Sequence, residues 1–224
     1  MSNYSDRCER LFMLDLLYGS AVDGRFGMPI IHCEHQVPEH LISFRKALHE
    51  DEPSAENCWI HFYAPDPDFS CLFRNPWRYV NKLSRFQGAI SPDPSVVIDL
   101  PIWRQMQSVG ESRTFGAWFQ RMGLSVIPNV RWGGLETFSF AFDGVEPGGT
   151  IALGTTGCMR DGELRSIFSA GLPELLRRCE PSDIVVYGSC PEDVFECVLE
   201  AGVAIHPFET ETKLAKEAAS DGAC

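Results

Sequence analysis

Short apolar runs alternate with amphipathic stretches of helical length along most of the 224 residues, and this alternation restricts the fold more than any other feature. Residues 28–33, 58–63, 88–90, 124–130, 150–153, 183–187 and 203–206 read as strands, bounded by Gly, Pro, Asp and Ser clusters. Between them the apolar residues return at helical spacing. Leu41, Phe44 and Leu48 predict a helix over 38–48, and a further helix is expected from Pro76. Ile102, Trp103, Met106 and Val109 continue from the Asp99-Leu100-Pro101 start signal. Gly110 is expected to interrupt that helix before Phe115, Trp118, Phe119 and Met122 resume it. Residues 161–178 and 191–201 predict two more. Leu11, Leu14 and Tyr18, flanked by Phe12, Leu16 and Leu17, predict a short helix near the start.

About seven β-then-α units imply parallel strands covered by helices on both faces. Two α/β architectures satisfy this: a compact, irregular TIM-like (β/α) barrel and an open doubly wound parallel sheet. An open sheet concentrates its site near one switch point, whereas a barrel places polar loops around a ring. Polar or glycine-rich ends follow at least four successive strands here, which favours the barrel. Residues 1–208 are expected to form a single domain, and 209–224 a polar, flexible tail.

The N-terminus lacks the order of a secretion signal, and no apolar run is long enough to span a bilayer, so a cytoplasmic protein without a membrane partner is expected. Nine cysteines include no pair separated by two residues, which favours buried reduced thiols over structural zinc. Net charge of −12 argues against a general nucleic-acid binder. The charge is uneven, however: residues 72–132 hold eight Arg or Lys against three acids, with four of the five tryptophans. A basic, aromatic middle on an acidic body suits an anionic, stackable ligand such as a nucleotide.

Candidate site residues cluster where strands end. Asp93 and Asp99 are the candidate catalytic carboxylates, able to act as general base, to hold a divalent cation or to bind a ligand hydroxyl. The competing roles are a turn aspartate for Asp93 and a helix N-cap for Asp99. Asp66 and Asp68 are similar but sit in ordinary turn composition. Arg131 offers a planar donor fork for phosphate or carboxylate, with a structural pair to Asp93 as the alternative. Trp132 is placed to stack on a base or sugar, with Asn129 and Ser95 as further ligand contacts. Thr155 and Thr156 in a Gly-Thr-Thr-Gly turn, and Ser189 after Gly188, are positioned to cradle a phosphate, although no P-loop is present. His61 and His206 fall inside strands and read as inward-facing residues rather than metal ligands.

Pro92, Asp93 and Ser95, then Asp99 and Pro101, then Val126, Ile127, Pro128, Val130 and Trp132 form a pattern that resembles an uncharacterised family of bacterial, phage and mobile-element proteins, catalogued as a domain of unknown function. Trp118, Gln120 and Phe142-Asp143-Gly144 are similar too, and the resemblance covers roughly residues 29–190. Pro94 stands where the family pattern carries an aromatic. The resemblance brings no established activity. The residues themselves point to binding or processing of a nucleotide or other phosphorylated small molecule at the rim of the sheet. A non-catalytic sensing or sequestering module is the first alternative, and direct action on DNA or RNA the second.

Overall fold

A computed structural model describes residues 13–50, 53 and 57–221. Leu11 and Phe12 of the expected first helix lie outside these residues. A single turn, α1 (Leu14–Leu17), leads into a small antiparallel hairpin of β1 (Val22–Asp23) and β2 (Met28–Pro29). The run at 28–33, expected as the first strand of the main sheet, therefore ends as a hairpin arm, with Ile31 bridging in parallel to Val145.

The predicted helix over 38–48 is instead strand β3 (His40–Ser43) followed by one turn, α2 (Phe44–Ala47). The spacing of Leu41, Phe44 and Leu48 imitates a helix because a strand feeds directly into a turn. Leu41 and Ile42 pair with Trp59 and Ile60 of β4 (Cys58–His61) and are drawn to opposite faces, Leu41 inward and Ile42 outward. Asp66-Pro67-Asp68 opens α3 (Asp66–Arg74): proline is pre-set for a first turn and the acids suit the positive end of the helix. A 3-10 turn (Pro76–Arg78) and α4 (Val80–Leu83) lead to β5 (Gly88–Ile90).

Helix α5 (Ile102–Arg121) is continuous, and Gly110 does not interrupt it. Every residue from Ser112 to Phe119 is buried, because the sheet covers one side of the helix and α1 with the hairpin covers the other. Gly116 permits that closeness, since an added Cβ would lie 3.0 Å from the Ser91 side chain. Arg121 fastens the cover by donating to the carbonyls of Leu16 and Tyr18 and to Ser20 Oγ. The order then runs β6 (Ser125–Ile127), a 3-10 turn (Leu135–Ser139), β7 (Thr150–Gly154), α6 (Gly162–Cys179), β8 (Asp183–Tyr187), α7 (Glu192–Glu200) and β9 (Ala204–Phe208). The tail expected to be flexible contains a last helix, α8 (Glu211–Asp221).

The fold is α/β with parallel sheets, as the alternation requires. Strands β3 to β6 form one sheet in sequence order and β7 to β9 another. A lone parallel bridge between Asn129 and Ala152 joins them. One inner cluster gathers a residue from each of the seven strands or its immediate end: Leu41, Trp59, Ile90, Ile127, Ala152, Val185 and Phe208. Among the described residues no ladder joins β9 back to β3, so the expected barrel is not closed by hydrogen bonds. Two outer cores lie under the helices. Phe62, Phe69, Phe115, Trp118 and Phe119 anchor the first, and Leu172, Leu175, Ile184 and Phe195 the second. Each such side chain contributes about 1.5–3 kcal/mol by leaving water. No described helix is long and apolar enough to cross a membrane.

Candidate functional site

The ends of β4, β5, β6 and β7 bring their polar residues together. After β5 the chain runs through Ser91, whose hydroxyl accepts from the Asn129 amide beyond β6 at 2.8 Å, locking the two strand ends in register. Asp93 follows and is buried at 8 % exposure. Its carboxylate accepts three hydrogen bonds, from Asn129 Nδ2 at 2.8 Å, Arg131 Nε at 2.5 Å and Arg131 Nη2 at 2.6 Å. Asn129 Oδ1 accepts in turn from the Tyr63 hydroxyl at 3.0 Å, which brings in the end of β4. At the end of β7, Gly154 keeps the space open: an added Cβ would lie 2.7 Å from the Tyr63 ring and 2.8 Å from Arg131 Nη2.

This fork is an ion pair between neighbouring strand ends, and Arg131 keeps 23 % of its side chain exposed. Burial works against the Arg131 charge, but the adjacent Asp93 outweighs it and holds the guanidinium above its ordinary pKa. Burial, reinforced by the Asp93 charge, pushes the Tyr63 phenol well above its usual range, so it stays a protonated donor. The fork fits a divalent cation poorly: both Asp93 oxygens already face a guanidinium, whose charge repels a metal. Among the described residues no group of three or more His, Cys, Asp or Glu side chains is placed to hold one.

Beneath the fork lies Arg113 of α5, 1 % exposed. Its Nε, Nη1 and Nη2 donate at 2.8 Å each to the carbonyls of Asp143, Asn129 and Ala141. Burial lowers its pKa to about 10, with the Cys179 and Asp143 charges opposing the fall, so it remains cationic at neutral pH. Asp143 balances a second cation, Arg178, through its carboxylate. The cavity between α5 and the fork, bordered by Pro94, Ser108 and Ser112, measures about 10 Å³, the room of about one water. A drug-sized ligand needs a few hundred Å³, so anything bound at the fork must lie on the rim.

A second polar group sits at the ends of β3, β4 and β8. His61 is 1 % exposed, and its Nδ1 accepts from the Tyr63 amide at 3.2 Å, which places the ring proton on Nε2. Nε2 has no hydrogen-bond partner, the nearby Glu211 Oε1 being 3.9 Å away. Burial drives the His61 pKa down to about 4, only partly opposed by Glu211. The Tyr187 ring lies 4.4 Å from the imidazole and stacks on Tyr63 at 5.1 Å. Glu211 accepts from the Ser43 amide at 3.1 Å and from Lys46 Nζ at 3.2 Å, while its own amide donates to the Tyr187 hydroxyl at 3.1 Å. Burial works against the Glu211 charge, yet these donors hold its pKa below the ordinary value.

The other predicted residues are distributed unevenly. Asn129 and Arg131 join Asp93. Asp99 is exposed in the turn before α5 with no hydrogen bond to the fork, and the helix begins after Pro101 without a side-chain cap, so Asp99 does not take the capping role either. Ser95 is tied to Asp66 on α3, its hydroxyl donating at 2.9 Å. Trp132 points to the opposite side of the strand end from Arg131. Its ring is buried between Phe168 and Phe142, at 5.0 and 5.5 Å, and donates to the Ile167 carbonyl, so no face is left for a ligand. Thr155 is buried and bonded to the Tyr187 carbonyl, whereas Thr156 and Ser189 are exposed. Gly188 approaches both threonines closely, which gathers them at the β7–β8 rim. His206 is paired with Asp183 at 2.8 Å. The seven described cysteines are free thiols.

Tyr63, Tyr187, Glu211 and Arg113 complete the two groups without having been singled out in the sequence, and His61, read there as an inward-facing strand histidine, joins them. Arg113 alone had a local signal, being the one charge in a run of α5 that is otherwise small or apolar.

The family described as "Domain of unknown function (DUF4417)" matches residues 20–206. The chain belongs to this family. Among curated relatives of this DUF4417 member, the Gene 1 protein of Mycobacterium phage L5 is 27 % identical over 187 residues, covering 84 % of this chain and 82 % of the relative. The Gene 1 protein of Mycobacterium phage D29 is 29 % identical over 163 residues, covering 73 % of this chain and 60 % of the relative. No solved structure matches the chain. Within this DUF4417 chain, three of the pattern residues fall in the fork and its surroundings, while Asp99 does not. Asp93 belongs to the ion pair, Trp132 to the second core, and Asp143 to the Arg113 and Arg178 bonds.

Proposed function

We propose that this DUF4417 protein binds or processes a nucleotide or other phosphorylated small molecule at the carboxyl-terminal rim of its parallel strands, in the cytoplasm. Arg131 is the anion-recognising group, and Asp93 is the partner that holds it in place. The observation that carries this reading is the half-used fork: Nε and Nη2 of Arg131 are committed to Asp93, while Nη1 donates to no described residue and part of the side chain stays open to solvent. A phosphate oxygen can be taken by Nη1 without breaking the pair, or by the whole fork if Asp93 yields. The seven-strand inner cluster supports a finer fold reading, an incomplete barrel with the fork on the rim of its mouth.

A thermal-shift comparison of wild type and Arg131→Lys against nucleoside mono-, di- and triphosphates tests the reading. A nucleotide that raises the wild-type melting temperature but not that of a folded Arg131→Lys places the ligand at the fork. Equal shifts in both proteins place it elsewhere, and no shift with any phosphorylated compound removes the reading.

A second reading rests on Trp103, which is 61 % exposed with the Arg104 guanidinium 5.4 Å from its ring centroid. An exposed indole beside a cation is a stacking surface for single-stranded nucleic acid. Binding that weakens steeply between 50 and 200 mM salt, as estimated for several phosphate contacts, and that is lost in Trp103→Ala, would favour it.

A further inference from the structure

The group around His61 consists of donors aimed at one carboxylate. The Ser43 amide and Lys46 Nζ reach Glu211 at 3.1 and 3.2 Å. His61 Nε2 carries a proton, is fully buried and finds no acceptor, with the same carboxylate standing 3.9 Å off, beyond hydrogen-bond reach. Tyr187 uses its oxygen to accept from the Glu211 amide, so its hydroxyl proton is also uncommitted. A buried N–H left without an acceptor is costly, and native structures rarely keep one without a reason. The side chain that fills the position comes from the first residue of α8, and the other described side chains of that helix are exposed. The helix is thus held against the rim largely through Glu211 and has little buried surface to resist release.

We propose that the pocket at the ends of β3, β4 and β8 is an oxyanion-binding site, occupied in this structure by the chain's own Glu211 as a stand-in ligand. An incoming carboxylate or phosphate takes the Ser43 amide, the Lys46 ammonium and the His61 N–H that Glu211 only approaches, and α8 is released from the rim. This is a second site, separate from the Arg131 fork, and it stands without the reading given for that fork.

The test measures binding of inorganic phosphate and of acetate to wild type, Glu211→Ala and the double variant Glu211→Ala/Lys46→Met by calorimetry. Removing the internal competitor is expected to tighten binding of one anion at least about ten-fold, as typical couplings between sites do, and loss of Lys46 is expected to reverse most of that gain. The anion that gains more names the ligand class. Equal affinity in wild type and Glu211→Ala overturns the proposal, as does undiminished binding in the double variant. If Glu211→Ala does not fold, amide exchange of α8 in the wild type decides the matter. Faster exchange on adding phosphate or acetate supports displacement, and unchanged or slower exchange overturns it. Arg131→Lys is expected to leave this binding unaltered while removing any nucleotide response at the fork, so the failure of one site is distinguishable from the failure of the other.

Discussion

At the fork, the Asp93 carboxylate accepts three hydrogen bonds, and two of the three Arg131 nitrogens are committed to it. On the other side of Tyr63, a buried imidazole N–H has a carboxylate 3.9 Å away and no bond to it. Both groups gather at strand ends, both are centred on a buried side chain, Asp93 in one and His61 in the other, and Tyr63 touches each of them. They differ in completeness. At the fork the Asp93 carboxylate is fully answered, which stiffens the sheet and resists substitution of either partner, and the spare donor, Arg131 Nη1, stands at the exposed edge. An unanswered donor stores a preference for something that is not yet there. Burial alone therefore does not tell how a polar cluster can receive a ligand; the accounting of donors and acceptors does, through one spare donor at the edge of the fork and one unanswered donor inside the second group.

Four changes sharpen that contrast. The largest effect is expected from Asp93→Ala, which leaves Arg131 with a mostly buried, unpaired guanidinium and should lower the unfolding free energy by about 3–5 kcal/mol, read from urea denaturation. A loss below about 1 kcal/mol would mean that water already screens the pair. Next comes pH. The folded His61 pKa of about 4 lies below the ordinary 6.5, so the unfolded chain takes up this proton first. The corresponding stability is present above pH 6.5 and is lost as the pH falls from about 6.5 through about 4, a difference of about 3 kcal/mol that should flatten in His61→Gln. Gly154→Ala forces a methyl against Tyr63 and Arg131, between the two clusters, and should cost about 1–3 kcal/mol in the same denaturation assay. The smallest effect is expected from Lys46→Met. The Lys46 side chain is 60 % exposed, so stability should change by less than about 1 kcal/mol, even though anion affinity in the Glu211→Ala background drops.

The parallel α/β plan was readable because each strand run is bounded by turn chemistry and each helix carries its own stripe. Strand β3 was not, since Leu41, Phe44 and Leu48 satisfy a helical spacing that only pairing with β4 overrides. Within the fork, Asp93, Asn129 and Arg131 were readable as polar residues following apolar runs. Trp132 is less readable, because adjacency in sequence places neighbours on opposite sides of an extended segment: if Arg131 faces the rim, Trp132 enters the core. His61 and Glu211 could not be paired from sequence, because 150 residues separate them and the segment carrying Glu211 reads as a polar tail. Arg113 shows a further limit. A buried guanidinium bonded to three carbonyls leaves no partner charge at a recognisable spacing.

Because no ladder joins β9 to β3 among the described residues, the strand array keeps two bare margins able to template pairing with another molecule. Pro207 blunts one, having no N–H to offer near the end of β9. The other is blunted by Glu211, which occupies the Ser43 N–H and places a negative charge where a foreign strand would dock. Whatever lifts α8 from the rim also uncovers an adhesive edge, so release of this helix would couple ligand occupancy to self-association, and chains ending before residue 211 would be the ones most prone to aggregate.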